Sequence, residues 1–148
     1  MSKAPFTAVI NLLRAQALLQ ERFAGELGSV HGLALNEALL LMHLEKAPLR
    51  RLTRVDLAKR LHASPSTVTR MAAPMEKTGL ISRQSDPRDA RLAYVVLTEA
   101  GLTLVGDVRK TIERRSAELF RDRWSDTEIA SLAKMLGRLT AGELGDLV

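Results

Sequence analysis

Residues 52–101 read LTRVDLAKRLHASPSTVTRMAAPMEKTGLISRQSDPRDARLAYVVLTEAG, and the rest of the chain is read outward from them. Thr53-Arg54-Val55-Asp56 fits the [ST]-x-x-[DE] capping pattern, in which the hydroxyl serves free backbone N–H groups at a helix start. The short helix continues through Leu57, Ala58 and Leu61, and His62-Ala63 make a turn. Ser64 caps a second helix with Pro65 in its first turn, where the missing N–H costs nothing. That helix runs to Thr78, and Gly79 supplies a left-handed stop. Leu80–Arg83 and Ala93–Leu97 have the alternation and β-branching of a two-stranded ribbon, joined by the charged loop SDPRDAR. Helix, tight turn, helix and ribbon together make a helix-turn-helix with a β wing. A ribbon of this size is marginal alone and must lean on the helices.

On the second helix, Val68, Met71, Ala72 and Met75 share the inner face, which leaves Ser66, Thr67, Thr69 and Arg70 pointing outward. Pro74 sits inside this helix and removes the hydrogen bond to the Arg70 carbonyl, which predicts a bend or loosening costing up to ~3 kcal/mol. The turns that precede it are unaffected.

Charge is distributed unevenly. Of a net +5, residues 50–91 hold ten basic residues against four acidic ones, a local excess of +6. Residues 1–49 balance, and residues 92–148 come to −1. Positive charge confined to the helix-turn-helix and its wing is the footprint of phosphate neutralisation. A basic surface without a partner does not predict that confinement.

The flanks read as helices. Val9, Leu12, Leu13, Ala17 and Leu19 recur near a 3.6-residue period from Phe6 to about Leu27, after which Gly25, Gly28 and Gly32 break the run. Asn36 is a plausible cap for EALLLMHLEKA, a segment apolar nearly all round and so expected to be buried, with Pro48 ending it. Thr98 starts a long helix reaching Trp124, with Leu102, Val105, Ile112, Leu119 and Phe120 as its buried stripe. Ser125-Asp126-Thr127-Glu128 is a full capping box for a last helix carrying Ile129, Leu132, Met135, Leu136 and Leu139. The 148 residues are expected to form a single, mainly helical domain: N-terminal helices over 1–49, the winged helix-turn-helix over 50–98 and C-terminal helices over 99–148.

Several function classes drop out. With no cysteine there is no disulfide, thiolate metal site or thiol redox sensor. No apolar run approaches the ~20 residues of a membrane span, and MSKAPFTAVINLL makes a poor signal peptide, so a cytoplasmic protein is expected. Three histidines, His31, His43 and His62, are too widely spaced for a metal motif. No nucleophile–base pair or phosphate loop stands out, which argues against an enzyme and against any cofactor.

A protruding helix fits the DNA major groove, and its early residues meet base edges and phosphates. Ser66, Thr67, Thr69 and Arg70 are therefore the main candidate contacts to double-stranded DNA, and Thr53, Arg54, Ser64 and Arg83 flank them. On the wing, a guanidinium from Arg88 or Arg91 can enter the minor groove, where narrow tracts concentrate negative potential. Asp86 and Asp89 are the candidates for orienting the wing. A solvated hairpin tip of alternating charge fits the spacing of these four residues equally well.

LAKRLHASPSTVTRMAAPMEKTGLISRQSDPRDARLAYVVLTEAG resembles the MarR family of winged-helix regulators. The resemblance rests on the recognition helix, the G-L-I-x-R exit, the D-x-R-D-x-R wing and the L-T-x-x-G helix start, about a third of the chain. It implies a homodimer joined through its N- and C-terminal helices, bound to a pseudo-palindromic operator and acting as a repressor. It assigns the wing arginine to Arg91 with Asp89 as its partner, and implies a small aromatic or phenolic effector, for which His31 and His43 are the weak candidates. Alternatives are a winged-helix protein-interaction module and a non-specific architectural DNA binder. The confined charge and the polar recognition face argue against the first; the second stays open and would tolerate loss of the Ser66 and Thr67 hydroxyls.

Overall fold

The computed structural model describes residues 1–141 and 147; residues 142–146 and 148, at the end of the C-terminal segment, lie outside the described residues. The elements in order are α1 (Ala4–His31), α2 (Leu35–Lys46), β1 (Arg51–Thr53), α3 (Arg54–Leu61), α4 (Pro65–Lys77), β2 (Ile81–Ser85), β3 (Ala93–Leu97), α5 (Glu99–Leu119) and α6 (Asp126–Leu139). The chain divides into two units, residues 1–35 and residues 36–148.

The first unit is essentially α1. It starts at Ala4 with Pro5 in the first turn and passes straight through Gly25 and Gly28, where the sequence suggests a break. A helix glycine costs only ~1 kcal/mol relative to alanine, which a helix of 28 residues absorbs. Gly32, at φ 66°, stops it, and the Gly32 N–H bonds to the Gly28 carbonyl at 3.1 Å. Phe6, Val9, Ile10 and Leu13 stand exposed along its N-terminal half.

Helix α2 begins at Leu35, so Asn36 lies in its first turn and is not its cap. Ala38, Leu40, Leu41, Met42, His43 and Leu44 are buried, as expected of a segment apolar nearly all round. After Ala47, a 3-10 turn (Pro48–Arg50) holds Leu49 and Arg50 in the left-handed region at φ 56° and 52°.

The wing is a three-stranded antiparallel sheet in the order β1-β3-β2, and not a two-stranded ribbon. β1 pairs with β3 in the register Arg51↔Val96, Leu52↔Val95, Thr53↔Tyr94, and β2 pairs with the other edge from Ile81↔Leu97 to Ser85↔Ala93. Three residues are too short to display a period, so β1 exists by virtue of a partner strand some forty residues away. Leu52, Val95, Ile81 and Leu97 form its buried face. α3 packs against β1 and β3, and α4 against β2, which supplies the support a small sheet needs.

The caps of the next two helices are where the sequence places them. Thr53 Oγ1 accepts the Asp56 N–H at 3.1 Å to start α3, and Ser64 Oγ accepts the Thr67 N–H at 3.2 Å to start α4. Between them His62 takes a left-handed φ of 51°, and the Ala63 N–H closes on the Ala58 carbonyl at 2.9 Å. α3 and α4 pack directly on one another across this turn. Val68, Ala72 and Met75 form the buried face of α4 and Met71 is half-buried; the helix continues through Pro74, and Gly79, at φ 79°, ends it.

Thr98 caps α5 by accepting the Gly101 N–H at 3.1 Å. Helix α5 stops at Leu119 and does not reach Trp124. Ser125 must be extended to cap α6, at φ −78° and ψ 158°, and the chain turns ahead of it through Asp122 at φ 69°. Phe120 and Trp124 meet edge-to-face across this turn at 5.6 Å. The buried stripe of α5 is Gly101, Val105, Val108 and Thr111, while Leu102, Ile112, Leu119 and Phe120 are half-buried. The α6 box is complete: the Glu128 N–H donates to Ser125 Oγ at 3.1 Å, and the Ser125 N–H to Glu128 Oε2 at 2.8 Å. No residue of α6 is buried, and Met135 and Leu139 are 56% and 67% exposed.

Candidate nucleic-acid interface

The N-terminal turn of α4 presents a chain of linked polar groups. Ser64 Oγ lies 3.0 Å from Ser66 Oγ and 2.9 Å from Thr67 Oγ1, and Arg70 Nη2 donates to Thr67 Oγ1 at 3.3 Å. Ser64, Ser66 and Arg70 are exposed; Thr67 and Thr69 are half-buried. The Thr69 hydroxyl turns back to donate to the Pro65 carbonyl at 3.0 Å and accepts Arg54 Nη1 at 3.0 Å. Arg54, from the first turn of α3, is thereby laid against α4. Thr53 is engaged as the α3 cap and half-buried. A single hydroxyl-and-guanidinium surface results, with short donors and acceptors preset by one another. Groups of that kind can exchange their mutual hydrogen bonds for base edges or phosphate oxygens.

The wing tip is equally ordered. Asp86 Oδ1 accepts the N–H groups of Arg88 at 2.7 Å and Asp89 at 3.3 Å, and Asp86 Oδ2 accepts the Tyr94 hydroxyl at 3.2 Å. The Arg88 amide above all, helped by the Tyr94 hydroxyl, the Asp89 amide and the charge of Arg51, holds the Asp86 carboxyl below the usual carboxylate range against the opposing effect of desolvation. Asp89 accepts the Arg91 N–H at 3.0 Å and both ends of its guanidinium, Nε at 3.2 Å and Nη2 at 3.4 Å. The Arg91 side chain nevertheless stays 91% exposed, and Arg88 is exposed as well. Arg83 is placed differently from these: its Nε reaches Glu76 Oε2 of α4 at 3.2 Å, so it ties the wing strand to α4.

Three participants escaped the sequence reading. Arg51 stacks on the Tyr94 ring, its guanidinium carbon 4.2 Å from the ring centroid, and donates to Gln84 Oε1 at 3.0 Å. Arg51, Tyr94 and Gln84 are far apart in sequence and meet only because β1-β3-β2 is one sheet. Tyr94 had a visible signal, a phenol in a strand beside a carboxylate-rich loop; Arg51 and Gln84 had none.

The histidines differ in setting. His43 is 5% exposed on α2, its Nδ1 has no hydrogen-bond partner, and burial followed by the charge of Arg60 pushes its pKa below the ordinary value. His31 ends α1 half-buried, and His62 is exposed in the turn. Among the described residues no group of three His, Asp or Glu side chains could hold a metal, and no helix is long and apolar enough to cross a membrane.

Residues 33–92 match the family model of the MarR family. This segment, under half of the chain, is similar to the MarR family. The match spans α2, the helix-turn-helix and the wing up to Leu92. MarR proteins are transcriptional regulators, not enzymes. The uncharacterized HTH-type transcriptional regulator YxaD of Bacillus subtilis is 34% identical over 85 residues, 57% of this chain and 58% of that protein. The chain thus spans less than two thirds of that relative's length. Among solved structures, Sco3205, a MarR-family regulator of Streptomyces coelicolor in complex with DNA, superposes with a TM-score of 0.81 at 22% identity, covering 96% of this chain and 89% of that one. The organohalide-sensing regulator RdhR in its 2,4-dichlorophenol-bound form superposes with a TM-score of 0.77 at 20% identity, covering 95% and 81%. Both are similar to this chain in fold.

Proposed function

We propose that this protein is a MarR-family, sequence-specific duplex-DNA-binding transcriptional regulator that represses from a pseudo-palindromic operator. The observation that carries the reading is the pairing of two exposed polar elements on one scaffold. Ser66, Thr67 and Arg70 line the start of α4, while Arg88 and Arg91 crown an ordered wing. Both fall within the segment that holds the excess of positive charge. Arg70 and the hydroxyls of α4 read the major groove, and the wing arginines grip the minor groove and its phosphates. Thr53, Ser64 and Arg54 act at the backbone edge of the same groove, and Arg83 holds wing and recognition helix together. As a DNA reader, the protein works in the cytoplasm.

A homodimer is supported by the exposed apolar residues Phe6, Val9, Ile10 and Leu13 on α1 and Met135, Leu136 and Leu139 on α6. Apolar stripes of this kind on terminal helices call for a partner. Two recognition helices then sit roughly 34 Å apart, one DNA turn. Release by an aromatic ligand is supported by the fold shared with RdhR in its 2,4-dichlorophenol-bound form. A ligand acts by preferring the state that does not bind DNA.

Selection of bound duplexes from random DNA at two salt concentrations tests the reading. Recovery of one inverted repeat with half-sites a turn apart is the expected result. Binding without a motif that disappears at moderate salt would overturn it in favour of backbone attraction alone. An operator affinity unmoved by a panel of phenols would remove the effector from the proposal.

A further inference from the structure

The loop that carries Arg88 and Arg91 is held from below by residues that themselves stand back from its tip. Tyr94, in the first half of β3, sends its hydroxyl to Asp86 Oδ2 at 3.2 Å. The other oxygen of that carboxylate anchors the Arg88 and Asp89 amides at 2.7 and 3.3 Å. The loop closes across its base, with the Asp86 N–H on the Leu92 carbonyl and the Leu92 N–H on the Asp89 carbonyl, both at 3.0 Å. Beneath, the Arg51 guanidinium covers the Tyr94 ring at 4.2 Å and is itself tethered to Gln84 at 3.0 Å. Thr53 is the residue paired with Tyr94 and Arg51 lies two positions along, the diagonal neighbour on the same face. The line runs from β1 through β3 to the tip without a gap.

We propose that Arg51, Tyr94 and Asp86 form a stay that fixes the wing tip in one pose, making Tyr94 and Arg51 positioning residues for the DNA contacts of Arg88 and Arg91. The inference rests on the DNA-reading function proposed above. A hairpin tip with seven polar or small residues and no stay samples many poses and loses that freedom on binding. The stay removes part of that loss in advance. The phenol's hydrogen bond fixes the carboxylate, the carboxylate fixes two amides, and the amides set the directions in which Arg88 and, through Asp89, Arg91 leave the backbone. The guanidinium of Arg51 stacks on the ring and adds positive charge near Asp86, favouring its ionised, accepting form.

The test uses the full chain and a selected operator duplex in a titration followed by fluorescence anisotropy. Tyr94→Phe deletes the hydroxyl and keeps the ring under Arg51. We expect operator binding to weaken by roughly 5-fold, the scale of one lost hydrogen bond. In an Arg88→Ala/Arg91→Ala background, Tyr94→Phe has no further effect beyond about 2-fold, because the stay has nothing left to position. Combined with Arg70→Ala on the recognition helix, its effect is undiminished. Equal losses in all three backgrounds would assign Tyr94 a general structural role and overturn the proposal, as would no loss in the parent. Amide exchange of Arg88 and Asp89 in the free protein, read by NMR, separates this from the function itself. Faster exchange in Tyr94→Phe supports the stay even where no duplex is bound, unchanged exchange overturns it, and a parent chain that binds no duplex overturns only the DNA-reading function.

Discussion

Gly101 is the position at which a single methyl group tests the packing most directly. The residue lies in the first turn of α5, buried. A Cβ built there would collide with the Leu80 carbonyl oxygen and come within 2.6 Å of Leu97 Cδ1 and 3.2 Å of the Leu80 carbonyl carbon. The carbonyl cannot retreat freely, because it accepts the Thr98 N–H at 3.1 Å and lies 2.9 Å from the Thr98 hydroxyl. Overpacking costs ~1–3 kcal/mol and strained hydrogen bonds at Leu80 ~1 kcal/mol more, against a gain of ~1 kcal/mol from helix propensity. Gly101→Ala is therefore expected to destabilise by about 1–3 kcal/mol. Gly106, further along the same helix, has nothing within 4 Å of its virtual Cβ. Gly106→Ala is expected to stabilise by ~0.5–1 kcal/mol. Urea denaturation followed by circular dichroism, at one fixed chain concentration, measures both. A Gly101→Ala protein as stable as its parent would mean that α5 slides off Leu80 at no cost, and the close approach read here would be wrong. Because Leu80 lies just beyond the end of α4 and Leu97 ends β3, the same variant should also loosen α4 against the wing.

Three further outcomes follow from named residues. Arg70→Ala should cost ~1–3 kcal/mol in DNA binding and relax specificity at one base pair, whereas Arg91→Ala should weaken all sequences alike and lower the salt slope by about 1; identical behaviour in a panel of single-base operator variants would contradict the division of roles. Leu49, 76% exposed at φ 56°, has a left-handed backbone and little packing to lose, so Leu49→Gly should relieve ~1–2 kcal/mol of strain against ~0.5–1 kcal/mol of added unfolded-state entropy, a small net gain in thermal stability that a marked loss would refute. His43, whose folded pKa lies below its unfolded value of 6.5, binds protons more readily when unfolded. Its contribution is complete above about pH 6.5 and is lost as pH falls through the folded pKa, so denaturation midpoints should drop on acidification and His43→Gln should flatten that drop.

Much of the fold was legible because its signals are local. Thr53, Ser64, Thr98 and Ser125 each bond a backbone N–H three residues or fewer along the chain, so a hydroxyl at the right spacing suffices to place four helix starts. Gly32 and Gly79 mark stops for the same reason, since φ above zero is a property of one residue. The confinement of positive charge to residues 50–91 is likewise a matter of composition, legible without any geometry. Gly25 and Gly28 misled because a propensity of ~1 kcal/mol is weak beside the cooperativity of a long helix.

The tertiary structure decided what depends on distant partners. β1 is a strand because β3 lies beside it, Arg83 turns to Glu76 because α4 packs on β2, and Gly101 is required because the start of α5 meets Leu80. The stack of Arg51 on Tyr94 and the grip of Tyr94 on Asp86 likewise exist only once the sheet has formed. Periodicity and capping report the energy of a residue among its near neighbours in the chain. Pair energies across forty residues appear only after the backbone has brought the partners together, and in this protein those pairs set the pose of the wing.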